Sequence, residues 1–300
     1  CLLAVEHFRP EAITMHPSAD ARFFDILGNL LFAQVFIGIV VMALSHTLNQ
    51  ERQKSDRLLH NILPHSVAEE LKVMDRVKPL HYESATVLFT DFVGFTRIAE
   101  GMSPEELIEG LDKCFREFDR IARRHNVEKI KTIGDSYMAV GGIPQANSTH
   151  AIDTVLCALE IQSFMSDMKQ ERAEAGKPSW ELRLGIHSGR LVAGVIGQEK
   201  FAYDVWGDTV NTASRMESSG VAGRINISMT TYEMVKDFFV CEYRGKITAK
   251  NKGEIDMYFV SSIRPELSSD GDGRRPGEKF YELYERASDR GSVRKRLARG

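Results

Sequence analysis

From Ile26 to Leu44 the chain runs without a single charged residue, and only Asn29 and Gln34 are polar. A stretch of this length and composition satisfies its own backbone only as a helix. At 1.5 Å per residue it spans roughly 30 Å, the hydrocarbon thickness of a bilayer. A buried core helix or the apolar region of a signal peptide has a similar composition. The run is too long for a signal peptide, and no small-residue cleavage site lies nearby. It reads as a transmembrane helix over 26–44. Arg52, Lys54 and Arg57 follow it closely, whereas only Arg22 lies as near on the other side. The excess of cationic residues puts everything after the helix in the cytoplasm, with the anchor in a membrane, the plasma membrane by expectation. The chain opens on Cys1-Leu2-Leu3-Ala4-Val5 without an initiator Met. Residues 1–25 are therefore expected to be the end of an earlier membrane region of a larger protein.

Beyond the helix the composition is that of a domain with a full core. The formal net charge is −3, which offers no pull toward nucleic acid. Cys1, Cys114, Cys157 and Cys241 are far apart, with no CxxC pair. They read as reduced core residues, not as a disulfide framework or a zinc site. Residues 45–78 are polar and helix-forming, with a partial apolar stripe at Leu48, Leu58, Ile62, Val67 and Leu71. A strict heptad fails at Glu51 and Ser55, so a solvated linker and a two-helix stalk both fit. Pro64 must break or kink this helix.

From about Glu83 the pattern changes to short apolar runs between turn signals. Val87 to Thr90 reads as a strand ending at Asp91. Ser103-Pro104 starts a helix that runs to about Arg124. Val127–Ile133 and Ser136–Val140 make a hairpin around Gly134-Asp135. Thr149 caps a second helix to about Gln170. Trp180–His187 and Leu191–Ile196 are read as another hairpin, turned at Ser188-Gly189. Asp208 opens a short helix through Ser218, and short strands with one more helix continue to Val260. Strand, helix, hairpin, helix, strand is the order of a ferredoxin-like α+β sandwich with a mostly antiparallel sheet. The sequence thus divides into the membrane helix, a stalk (45–78), a main domain (79–262) and a Ser/Gly/Asp-rich, flexible, basic tail (263–300).

Asp91 and Asp135 carry the chemistry. A carboxylate at the end of a buried strand is costly unless something compensates it. Alone, Asp91 fits a turn or cap residue. Two such residues, each at a strand end beside glycine, suggest a shared cation and metal-assisted phosphate chemistry. Lys131, within an apolar strand, also fits an edge-strand lysine facing water. Asn211 and Arg215, one helical turn apart, also fit a solvated helix face. His187 and His125 suit neutral-pH proton transfer, but His187 lies in the Gly-Ile-His-Ser-Gly hairpin and reads as structural, and neither is named as a base.

FTDFVGFT (89–96), KIKTIGDSYMAVGG (129–142), LRLGIHSGRLVAGVIG (182–197) and YDVWGDTVNTASRME (203–217) together resemble the class III nucleotidyl cyclases. LLHNILPHSVAEELK (58–72) resembles the segment before the catalytic domain in their membrane-linked members. The resemblance implies a cyclase domain over 79–262, with Asp91 and Asp135 holding two Mg²⁺ or Mn²⁺ ions per site and the Phe92 carbonyl adding a ligand. It implies that Lys131 and Asp204 read adenine, a donor for a ring nitrogen and an acceptor for the amino group. The guanylate branch carries Glu and Cys at these places. Asn211 would orient the ribose and Arg215 would stabilise the α-phosphate. Lys250 would bind the triphosphate, with Lys252 as a possible substitute because Asn251 departs from the family pattern. Gly94, Phe95 and Thr96 would bound the triphosphate through backbone N–H groups.

The implied activity is that of an adenylate cyclase, acting on ATP. Its sites would be shared across a head-to-tail homodimer, and residues 26–44 would sit in the lipid bilayer. A guanylate cyclase and a catalytically inactive cyclase-like dimerisation module are the alternatives.

Overall fold

The computed structural model describes residues 19–74, 76–197, 200–249 and 253–297, with side chains described to residue 288. The chain divides into two compact units, residues 1–61 and 62–300. The described part of the first is one helix, α1 (Ala19–His60). Its apolar side chains are exposed, Phe32 by 72% and Met42 by 73%. By length and composition it could cross a membrane. The expected end of an earlier span falls mostly on residues 1–18, outside the described residues.

The second unit opens with α2 (His65–Met74), whose Val67, Ala68 and Leu71 are buried. The Pro64 carbonyl accepts from the N–H groups of Val67 and Ala68, so the proline stands where a helix begins. The elements that follow are β1 (Leu80–Phe92), α3 (Phe95–Glu100), α4 (Pro104–Arg124), β2 (Val127–Ile133), β3 (Ser136–Gly141), α5 (His150–Glu174), β4 (Leu182–Ile196) and β5 (Ala202–Trp206). Then come α6 (Asp208–Ser218), β6 (Ile225–Ser228), α7 (Met229–Val235), β7 (Phe239–Ala249), β8 (Gly253–Ile263), a 3₁₀ turn (Pro265–Leu267) and α8 (Glu278–Leu297).

The strands form one sheet in the order β2-β3-β1-β4-β6-β8-β7, with β5 added to β4. Every pairing is antiparallel except β4 with β6. This is the mostly antiparallel sheet with flanking helices expected from the order of elements. Alternation decides which side chains meet the core. Leu88 and Phe92 of β1, Leu182, Leu184 and Ile186 of β4, and Ile225 and Ile227 of β6 share one cluster with Phe118, Ile121, Val155 and Ile161 of α4 and α5. The intervening residues, Asp91 and Arg183 among them, point to the opposite face, against which α6 lies. Ser103 caps α4 by accepting from the Glu106 N–H at 3.2 Å. Thr149 occupies the cap position of α5, but its hydroxyl bonds Asp153 rather than a helix N–H.

Two expectations are corrected. Ser188-Gly189 does not turn a hairpin: β4 is one strand of 15 residues, in which Ser188 and Gly189 pair with Thr86 and Ala85. The glycine answers a close approach instead, since a Cβ there would lie 2.6 Å from Thr209 Oγ1 on α6. The tail is not free up to residue 288. Ser269 N–H donates to the Arg275 carbonyl, and Ser268 bridges Pro276. Phe280 is fully buried against Phe238 and Phe239, with ring centroids 5.2 and 6.1 Å away. Tyr284 donates to Asp153 at 2.7 Å. An aromatic residue beyond a polar loop supplies enough apolar area to anchor the returning helix.

Candidate active site

Strand register builds the first cluster. Thr90 of β1 faces Tyr137 of β3, so the next step sets Asp91 beside Ser136, and the Ser136 hydroxyl donates to Asp91 Oδ1 at 2.7 Å. The β2–β3 turn needs a left-handed residue, and Gly134 takes it at φ 62°. This puts Asp135 at the hairpin tip, close enough to Asp91 for their charges to interact. Burial raises the Asp135 pKa. The Asp91 charge pushes it further, against backbone N–H groups of Asp135 and Phe92 that favour the carboxylate. Two neighbouring carboxylates that repel each other form an oxygen-donor set that fits a hard divalent cation.

On the other side of β1, Asp91 is the direct cross-strand partner of Arg183 on β4. Arg183 Nη2 donates to Asp91 Oδ2 at 2.8 Å. Its Nε lies 3.1 Å from Glu217 Oε1 on α6. That contact is an ion pair rather than a directed hydrogen bond, since neither atom finds a hydrogen-bond partner. Burial pushes the Glu217 carboxyl up to about 7. Arg183 opposes the shift, and the charges of Asp91 and Asp135 add to it. Gly185 explains how Glu217 comes so close: a Cβ there would lie 1.9 Å from the Glu217 backbone nitrogen, so α6 rests directly on β4.

Phe92 turns into the core, edge-on to Trp180 at 5.3 Å. Phe95 packs on the same two rings, at 6.1 and 6.2 Å. These contacts fix the Gly94–Thr96 loop beside Asp91. Gly94, at φ 68°, is the N-cap of α3, which leaves the Phe95 and Thr96 N–H groups in an open first turn.

A second cluster joins Lys131 and Asp204, which are 73 positions apart. Lys131 Nζ donates to Asp204 Oδ2 at 2.5 Å, although β2 and β5 are not neighbours in the sheet order. The β2–β3 register shifts between Lys129 and Lys131. A bulge re-aims a side chain, and these two lysines engage different elements: Lys129 reaches Asp119 on α4 at 2.9 Å. Asp204 is oriented by the Val205 N–H, which donates to its Oδ1 at 2.9 Å.

Asn211 and Arg215 lie on α6, Asn211 exposed and Arg215 half-buried. They share this helix with Glu217. Lys250, Asn251 and Lys252 lie outside the described residues. His187 is buried, with Nδ1 2.6 Å from Ser228 Oγ. His125 pairs with Glu160 at 2.8 Å. Sequence reasoning missed Arg183 and Glu217. Their one signal was a charged residue at alternate spacing within a buried strand, and a glutamate on the sheet-facing side of a short helix.

Residues 77–262 match the family model described as adenylate and guanylate cyclase catalytic domain. The adenylate cyclase of Mycobacterium tuberculosis is 37% identical over 266 residues, which cover 86% of this chain and 59% of that protein. Human Guanylyl cyclase C is 41% identical over 218 residues, 71% of this chain and 20% of that protein. This chain therefore spans less than two thirds of either relative. The crystal structure of the guanylate cyclase domain of RhGC from Catenaria anguillulae in complex with GTP superposes with a TM-score of 0.58 at 40% identity, over 61% of this chain and 99% of that one. The family model covers more than half of the sequence, and the chain belongs to the class III nucleotidyl cyclases.

Proposed function

We propose that the chain is a membrane-anchored adenylate cyclase that converts ATP to 3′,5′-cyclic AMP and pyrophosphate. The observation that carries the nucleotide choice is the Lys131–Asp204 pair. A lysine donor beside an aspartate acceptor matches a ring nitrogen and the exocyclic amino group of adenine. The two groups lie side by side, with Lys131 Nζ donating to Asp204 Oδ2 at 2.5 Å. With adenine present each finds its complement, whereas the guanine edge offers the opposite pattern of donor and acceptor.

Asp91 and Asp135, with the Phe92 carbonyl, would hold two Mg²⁺ or Mn²⁺ ions. Such ions lower the pKa of the attacking 3′-hydroxyl and neutralise the leaving pyrophosphate. Asn211 orients the ribose, and Arg215 stabilises the charge that develops on the α-phosphate, an effect worth about 10²–10³ in rate for one such donor. Lys250 and the N–H groups of Gly94, Phe95 and Thr96 bind the triphosphate. The chain carries both the metal aspartates and the base-reading residues, as a head-to-tail homodimer with two equivalent shared sites requires. The length and composition of α1 support a bilayer anchor over 26–44, with the catalytic domain on the cytoplasmic side.

A guanylate cyclase is the second reading. It is favoured by overall identity, 41% to human Guanylyl cyclase C against 37% to the mycobacterial adenylate cyclase. Residue type at 131 and 204 favours ATP, and whole-domain similarity cannot outweigh the two side chains that touch the base. Turnover by the full chain tests the reading. Cyclic AMP should form with Mg²⁺ or Mn²⁺ and vanish in Asp91→Ala. Retained turnover in that variant would remove the metal role, and no turnover in wild type would leave an inactive dimerisation module.

A further inference from the structure

We propose that Arg183 is the resident counter-ion of Asp91, held by Glu217, and that a divalent cation displaces Arg183 onto Glu217 to load the carboxylate pair. The inference rests on the metal reading of Asp91 and Asp135.

Three observations lead to it. The cross-strand register fixes Arg183 opposite Asp91, so the contact is built into the sheet and is not a chance rotamer. Arg183 has one guanidinium and two carboxylates. Its directed hydrogen bond goes to Asp91 at 2.8 Å, and its contact with Glu217 at 3.1 Å lacks hydrogen-bond geometry. Glu217 cannot follow a moving arginine, because its backbone is pressed against Gly185 and its side chain is only 11% exposed. It is a fixed acceptor with unused capacity.

A cation on Asp91 both competes for the carboxylate and repels the guanidinium. Leaving an arginine without a partner in this half-buried place would be costly. Glu217 removes that cost by accepting the N–H that Asp91 gives up, so it is a positioning residue for metal loading. Two consequences have opposite sign. Without Arg183 the cation meets no competitor and binds more tightly. Without the Glu217 charge Arg183 stays on Asp91 and the cation binds more weakly.

The test is Mn²⁺ binding to the full chain in mild detergent without nucleotide, at a pH of about 8 where Glu217 is ionised, read from the electron paramagnetic resonance signal of free Mn²⁺. Arg183→Gln should tighten binding and Glu217→Gln should weaken it, each by roughly three- to tenfold, the size expected for one unit charge near a dication in a partly solvated site. On the Arg183→Gln background, Glu217→Gln should lose most of its effect. Glu217→Asp keeps the charge and should bind close to wild type, which guards against reading a folding defect as a metal effect. Shifts in the same direction, or no shift in either variant, overturn the inference while leaving the metal reading intact. Wild-type binding that Asp91→Asn does not change would remove the metal reading and this inference with it.

Discussion

Phe280 gives the sharpest test of where the catalytic unit ends. Its ring is fully buried, 5.2 Å from Phe238, 6.1 Å from Phe239 and 6.4 Å from Tyr284. Phe280→Ala removes a large side chain from an enclosed place, and such changes cost about 3–5 kcal/mol. Tyr284→Phe instead removes the hydroxyl that donates to Asp153, a buried carboxyl whose pKa is raised chiefly by burial. Leaving that acceptor short of a donor costs about 1–3 kcal/mol. The two rings touch, so the double variant should lose less than the sum. The assay is thermal unfolding of the full chain followed by tryptophan fluorescence, with Trp180 as the buried reporter. For a unit of this size, about 2–4 °C per kcal/mol implies a fall of roughly 6–20 °C for Phe280→Ala. A fall under about 2 °C, the size of an ordinary surface substitution, would refute the packing argument and return residues 265–288 to the status of a free tail.

Two further outcomes follow from the fold. His150 is buried with Nδ1 2.7 Å from Thr86 Oγ1, and burial lowers its pKa from 6.5 to about 4. The unfolded chain therefore takes up the proton first. The associated stability is complete above pH 6.5 and is lost as pH falls toward 4, by about 2 kcal/mol between pH 7.5 and 5. Urea midpoints at the two pH values should show this loss, and it should shrink in His150→Gln. Gly185→Ala would force a Cβ to 1.9 Å from the Glu217 nitrogen. It should lower the melting temperature through overpacking of about 1–3 kcal/mol and abolish turnover by moving α6, which carries Asn211 and Arg215. A variant that melts and turns over like wild type would count against direct seating of α6 on β4.

Much of the carboxylate cluster was legible because its signals are local. Asp91 lies near the end of β1, just before the positive-φ Gly94, and Asp135 directly follows the positive-φ Gly134 at the end of β2. Arg183 and Glu217 were not legible, because their meaning depends on a register between strands 92 positions apart and on a helix seated over glycine. Glycine itself is ambiguous in sequence. At Gly134 it makes a turn, whereas at Gly189 it makes room. Ser188-Gly189 therefore looked like a hairpin loop and proved to be mid-strand. The loop 266–277 misled for a related reason. Its polar composition matches a linker, yet Asp270 Oδ1 accepts from the Asp272 N–H at 3.1 Å, and the loop only has to return the chain to the buried Phe280.

The proposed reading of the base by Lys131 and Asp204 is tested most directly by the product ratio from equimolar ATP and GTP. Wild type should form mainly cyclic AMP, and Lys131→Glu with Asp204→Cys should move the product toward cyclic GMP. Cyclic GMP as the main wild-type product, or a ratio unmoved by the exchange, would contradict it.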